Sequence, residues 1–147
     1  MVAIATCLCI GLTIVCFSSC CTKKGCLGTF DMGEIYLSGF TLSDADSIIL
    51  ETYEAKSNFT KRVDSVLVSG REGGILANDS ELTIYTPISK RYEYKFTFIV
   101  PEETYTLTDF VVKNEICNCP GDYFEVVKGY SINGKKINAS RIIIEKK

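Results

Sequence analysis

The sequence contains no histidine and no tryptophan among its 147 residues, and only 3 prolines and 2 methionines. The missing histidine excludes a good deal of chemistry: no Ser-His-Asp triad, no Cys-His dyad, no HExxH zinc protease and no imidazole-ligated metal centre can be built. Charge is also missing, but locally. Residues 1 to 21 carry none, and every Lys, Arg, Asp and Glu falls between Lys23 and Lys147. In that stretch the two signs nearly balance, for a net charge of -2, and like charges never run beyond a pair. Nucleic-acid binding requires a basic stripe that neutralises phosphates, so no nucleic-acid partner is expected.

What is present is an apolar leader and an uneven set of cysteines. Of the first 21 residues 16 are hydrophobic, and the 8 Cys stand at positions 7, 9, 16, 20, 21, 26, 117 and 119. About 20 apolar residues suffice to cross a bilayer, whereas a secretory signal needs an apolar stretch of only about 7 to 15. The run Ile10 to Phe17 ends in Ser18-Ser19-Cys20, which places an apolar residue three before a cysteine and small residues directly before it. This arrangement resembles the lipobox of bacterial lipoproteins, with Phe17 where leucine is more usual. The resemblance implies that Cys20 is diacylated and that the leader is then cleaved. Residues 1–19 are then a signal peptide, 20–25 a short lipid tether and 26–147 the folded domain. The alternative is an uncleaved leader that acts as an inner-membrane anchor, which Lys23 and Lys24 would suit by the positive-inside rule.

The same resemblance carries a destination. In lipoprotein sorting an Asp directly after the acylated cysteine causes inner-membrane retention, and here that position is Cys21. An outer-membrane location is implied, with membrane lipid as a partner through Cys20. Surface-exported lipoproteins of some Gram-negative groups carry acidic residues after the cysteine, and Lys23-Lys24 departs from that pattern. The periplasmic face is therefore preferred. Extended at roughly 3.4 Å per residue, the tether reaches about 20 Å, so the domain sits close to the headgroups.

Beyond Cys20, four cysteines outlast the leader. Cys21, Cys26, Cys117 and Cys119 form an even set, which in an oxidising compartment allows three pairings. A structural bridge from Cys26 to Cys117 or Cys119 would close a loop of about 90 residues and contribute roughly 4 to 5 kcal/mol in the chain-entropy model. The rival reading is chemical: Cys117-Asn118-Cys119 brings two thiols together, and with Cys26 it could hold Cu(I) or act in thiol exchange. It has no support from His, Met or a second C-x-C. No metal site is assigned, and no cofactor is expected.

From Phe30 onward, short alternating segments lie between turn signals, the pattern of half-buried strands. Arg91 to Val100 is the clearest, with Tyr92, Tyr94, Phe96, Phe98 and Val100 on one face and Glu93, Lys95 and Thr97 on the other. Further strands are expected at 34–39, 63–69, 81–86, 104–116, 123–132 and 141–145, with Pro87 and Pro101 ending two of them. Asn133-Gly134 signals a type I′ hairpin, and Gly70 to Ser80 reads as a polar loop. Residues 44–56 are read as strand rather than helix, although Ser43 and Asp46 resemble a capping box. The fold class expected is all-β: a single two-sheet β-sandwich of immunoglobulin-like or transthyretin-like kind.

No residue set amounts to an active site. Asp44-Ala45-Asp46 lacks the glycine and closing Glu of a calcium loop and reads as a solvated turn. Glu102, Glu103, Asp109 and Glu115 have no motif that pairs them for acid–base work. Asp46-Ser47-Ile48 and Asp64-Ser65-Val66 resemble the O-glycosylation sequon of some Gram-negative bacteria, which makes Ser47 and Ser65 candidate acceptors. The expectation is a non-enzymatic, lipid-anchored module of the outer membrane that binds or organises envelope proteins or glycans. A periplasmic thiol-redox or Cu(I)-binding protein is the alternative.

Overall fold

The computed structural model describes residues 32–69, 75–78, 81–116 and 123–147, and shows ten strands among them and no helix. These are β1 (Met32–Ser38), β2 (Ser47–Glu54), β3 (Arg62–Ser69), β4 (Ile75–Asn78), β5 (Glu81–Ile88), β6 (Tyr92–Phe98), β7 (Glu103–Ile116), β8 (Tyr123–Ile132), β9 (Lys135–Ile137) and β10 (Ile142–Glu145). They form two sheets, ordered β10-β1-β5-β4 and β3-β2-β6-β7-β8-β9. All pairs are antiparallel except β1 with β10. The all-β two-sheet sandwich read from the sequence is the architecture observed. The signal segment, the tether and all eight cysteines, including Cys20, Cys26, Cys117 and Cys119, lie outside the described residues.

Alternation decides which face each strand buries. In β6, Tyr94, Phe96 and Phe98 are buried while Glu93, Lys95 and Thr97 stay partly in solvent. Ile35 and Leu37 of β1, Leu82, Ile84 and Ile88 of β5, and Ile142 and Ile144 of β10 form the opposing wall. Burying each such side chain stabilises by roughly 1.5–3 kcal/mol. Phe40, from the loop after β1, closes one end by stacking on Phe98 at 4.5 Å and meeting Tyr105 edge-on at 6.0 Å. Burial, with a hydrogen bond to Glu103, pushes the Tyr105 hydroxyl up to about 12.

Three expectations need correction. Val100 does not extend the buried face of β6: the strand ends at Phe98, and Val100 is exposed. Pro87 does not end its strand but lies inside β5. Among the described residues β4 pairs only with residues 81 to 84, so none of them is paired to the β4 side of β5 at Pro87. The loop from Gly70 to Ser80 contains β4, whose short run Ile75-Leu76-Ala77 finds its hydrogen bonds on β5.

The Asn133-Gly134 turn is as expected: φ values of 50° and 76° suit a two-residue β8–β9 hairpin. It is also docked on β7, since Asn133 Oδ1 accepts from Thr106 N at 2.9 Å and Asn133 N donates to Thr106 O at 3.0 Å. Asp109, at φ 53°, marks a bulge in β7 with register shifts between Thr108 and Val111 and between Val111 and Val112. Before it Leu107 faces the core, and after it Phe110 and Val112 do. β6 pairs with β7 only as far as Leu107, so beyond the bulge β7 and β8 continue as a two-stranded ribbon.

Candidate functional site: the open edge at β3

The four outermost strands differ sharply in length and charge. β9 has three residues, two of them Lys135 and Lys136, while β10 and β4 have four each. β3 has eight residues and carries no lysine and no proline. Only Val68 of β3 is buried, while Val63, Val66 and Leu67 are 52%, 49% and 54% exposed. Unpaired N–H and C=O groups along such an edge form a template for another strand.

Its exposure has a geometric cause. Val68, Val66 and Asp64 lie opposite Ile48, Leu50 and Thr52 of β2, so they belong to the inner face of the six-stranded sheet. Among the described residues, the pairing of β4 on the facing sheet reaches only to Ile84 of β5. The result is an open groove of about 360 Å³ between the sheets, lined by Leu50, Val66, Pro87, Ile88, Tyr92 and Tyr94 among others. Asp64 is the one charged residue of its lining, and its Oδ1 accepts from Ser65 N at 2.8 Å. Tyr94 closes the floor: its hydroxyl accepts from Ser89 N at 2.7 Å and donates to Ser89 O at 3.3 Å. Burial raises the Tyr94 hydroxyl pKa, a shift the bond from Ser89 opposes. The lining is thus mainly apolar with a single acid at its lip, a surface for contact rather than for proton transfer.

The acids singled out in the sequence are placed elsewhere. Glu103 hydrogen-bonds Tyr105, and Glu115, twelve residues on along the same strand, pairs with Lys128. The turn at 41–46 is observed, but it is not simply solvated. Asp44 is 9% exposed; it accepts from Thr41 N at 2.7 Å, Thr41 Oγ1 at 2.8 Å and Lys146 Nζ at 2.8 Å. Those bonds, the one from Lys146 foremost, hold its carboxyl down at about 2. Among the described residues no three His, Cys, Asp or Glu side chains group as a metal site. The candidate acceptors differ in setting: Ser65 is exposed on β3, and Ser47 is half-buried at the start of β2.

The groove was not foreseen from the sequence. A signal existed in β3, whose apolar residues Val63, Val66, Leu67 and Val68 break the alternation that one buried face requires. Among the described residues the aromatic side chains are mostly core; Tyr85 stands out at 44% exposure. Among the described residues the architecture is a two-sheet β-sandwich in which β3 is a long edge strand of the six-stranded sheet. No family model, curated protein or solved structure matches the chain.

Proposed function

We propose that the protein is a non-enzymatic interaction module of a bacterial outer membrane, anchored through lipid on Cys20, facing the periplasm, and contacting envelope partners with its β3 edge and groove. The observation that carries this reading is the β3 edge, where three large apolar residues stay in solvent on an eight-residue strand without a lysine. Large apolar side chains left in solvent along an edge strand offer a surface for contact. The anchor is supported by Phe17-Ser18-Ser19-Cys20 at the end of an uncharged leader. Two or more acyl chains anchor stably where one does not, and the short tether then keeps the edge near the membrane.

Two measurements test the reading. Intact mass spectrometry of protein purified from membranes is expected to show an N-terminus at Cys20 carrying acyl mass; an unmodified N-terminus at Met1 overturns the anchor. Replacing Val66 and Leu67 together by Lys is expected to remove proteins that co-purify with the wild-type chain. Identical co-purifying sets overturn the role of the edge.

A further inference from the structure

We propose that the groove between β3 and β5 is a binding site for a small amphipathic amine, an apolar body that carries one ammonium group, with the body against Leu50, Val66 and Ile88 and the ammonium at Asp64. It rests on the reading of the edge and groove as the contact surface and names the chemistry the groove takes. Three observations carry it.

The first is a change of polarity along the groove. Directly opposed residues of an antiparallel pair share a face, so the inner face of the six-stranded sheet is built of rows that cross β3, β2 and β6. Val68-Ile48-Phe98 is buried throughout, Val66-Leu50-Phe96 comes next, and Asp64-Thr52-Tyr94 follows. The groove lies over the second and third rows, with Pro87 and Ile88 of β5 as its other wall. One end is therefore apolar, and the other ends in a carboxylate. Mainly apolar walls with a few placed polar groups are what small-ligand sites present.

The second is charge. Asp64 is the one charged residue of the lining, and the bases nearest to it in the chain are engaged by other acids. Lys61 pairs with Glu54 at 3.2 Å and Arg62 with Glu51 at 2.9 Å. Lys90, two residues beyond Ile88, pairs with Glu125. Among the described residues Asp64 accepts from the backbone N–H of Ser65 and pairs with no cation. A ligand entering here meets an uncompensated negative charge, which favours a cation over a neutral or anionic group of the same shape.

The third is size. A groove of about 360 Å³ has the room of about a dozen waters, enough for an apolar body of about ten non-hydrogen atoms. So small a ligand binds with a dissociation constant on the order of 1 mM. Because Asp64 is exposed, its contact with the ammonium changes affinity by about two- to fivefold and is screened by salt.

The test uses the full chain in non-ionic detergent micelles, with labelled Leu, Ile and Val methyl groups followed by NMR. Three probes share a phenylalkyl body and differ in their end group: 3-phenylpropylamine, 3-phenylpropanol and 3-phenylpropanoate. The amine is expected to shift the methyl signals of Leu50, Val66 and Ile88 saturably, about two- to fivefold more tightly than the alcohol, with the carboxylate weakest. Asp64→Asn is expected to bring the amine to the affinity of the alcohol and to leave the alcohol unchanged; Asp64 is exposed, and the methyl spectrum itself verifies the fold. Salt at about 1 M, where the Debye length is about 3 Å, is expected to remove the same preference in the wild-type chain. Equal binding of the three probes, or an amine preference that survives Asp64→Asn, overturns the ammonium site and leaves Asp64 as an inward-facing charge that guards the β3 edge. Absence of saturable shifts at the groove methyl groups in a folded chain overturns the groove as a ligand site. Co-purification of partners, and their loss when Val66 and Leu67 are replaced by Lys, reports on the edge separately.

Discussion

Asp44 shows how a single residue ties distant parts of the chain. It lies 102 residues from Lys146, yet its carboxylate joins the Lys146 ammonium to the Thr41 backbone and hydroxyl in one cluster. Because its folded pKa is about 2, against an ordinary 3.8, the native state binds the proton less readily than the unfolded chain. Its contribution is therefore complete above the unfolded value and is lost as pH falls from about 4 through 2. Asp44→Asn is expected to flatten the acid limb of the stability curve while leaving it nearly parallel to wild type at neutral pH. Denaturant midpoints measured across that range check this; an unchanged acid limb would show that the cluster contributes nothing. Thr41 is a local partner of Asp44, but nothing in the local sequence marks its ion pair, since Lys146 is brought to it by the parallel β1–β10 pair. Glu51 is a second such case, its pKa lowered by Arg62 and Lys95 from the two flanking strands.

Among the elements, those whose pattern is local were legible. β6 reads as a strand because its aromatic residues alternate, and the β8–β9 hairpin reads from Asn133-Gly134 because few residue pairs accept two positive φ angles. β4 was not legible: four residues in a polar stretch become a strand only where β5 offers them hydrogen bonds. The groove was not legible either, since its lining comes from four strands distant in sequence, β2, β3, β5 and β6. The β8–β9 hairpin also contains a tight approach that supports a prediction. A Cβ on Gly129 would lie 2.9 Å from the backbone O of Ile137, an atom that cannot rotate away. Gly129→Ala is expected to destabilise the fold by about 1–3 kcal/mol, measured by denaturant unfolding; a neutral result would mean that β9 is free to shift. The β7–β8 ribbon bears on the proposed bridge from Cys26. Met32 pairs with Ile88, and two residues on, Lys90 ion-pairs with Glu125, which faces Asn114 in the ribbon. The chain thus enters β1 at the same end of the sandwich as the ribbon that leads to Cys117. Peptide mapping without reductant is expected to join Cys26 to Cys117 or Cys119, and recovery of all three as free thiols would sink that bridge.

At the scale of the whole molecule, the sandwich has two unlike ends. One carries Phe40, Asp44 and Lys146, a closed end where stacked rings and an ion pair seal the core. The other carries the chain's entry into β1, the groove mouth at Asp64 and Tyr92, and the ribbon. If the lipid is on Cys20, only the short stretch from 21 to 31 separates it from Met32, so the open end is the one held toward the bilayer. This arrangement would confine the β3 edge to a layer near the headgroups, where envelope partners tethered in the same leaflet meet it at high effective concentration. Lysine reactivity tests the orientation without altering the protein, because lysines occur at both ends. In vesicle-bound protein, acylation of Lys61 beside the groove and Lys113 in the ribbon is expected to slow relative to detergent-free soluble protein lacking the acyl chains. Lys135 and Lys136, in β9, and Lys146 are expected to react at unchanged rates. Uniform slowing at all five would indicate a domain lying flat on the membrane, and slowing confined to Lys146 would invert the orientation and place the β3 edge away from the bilayer.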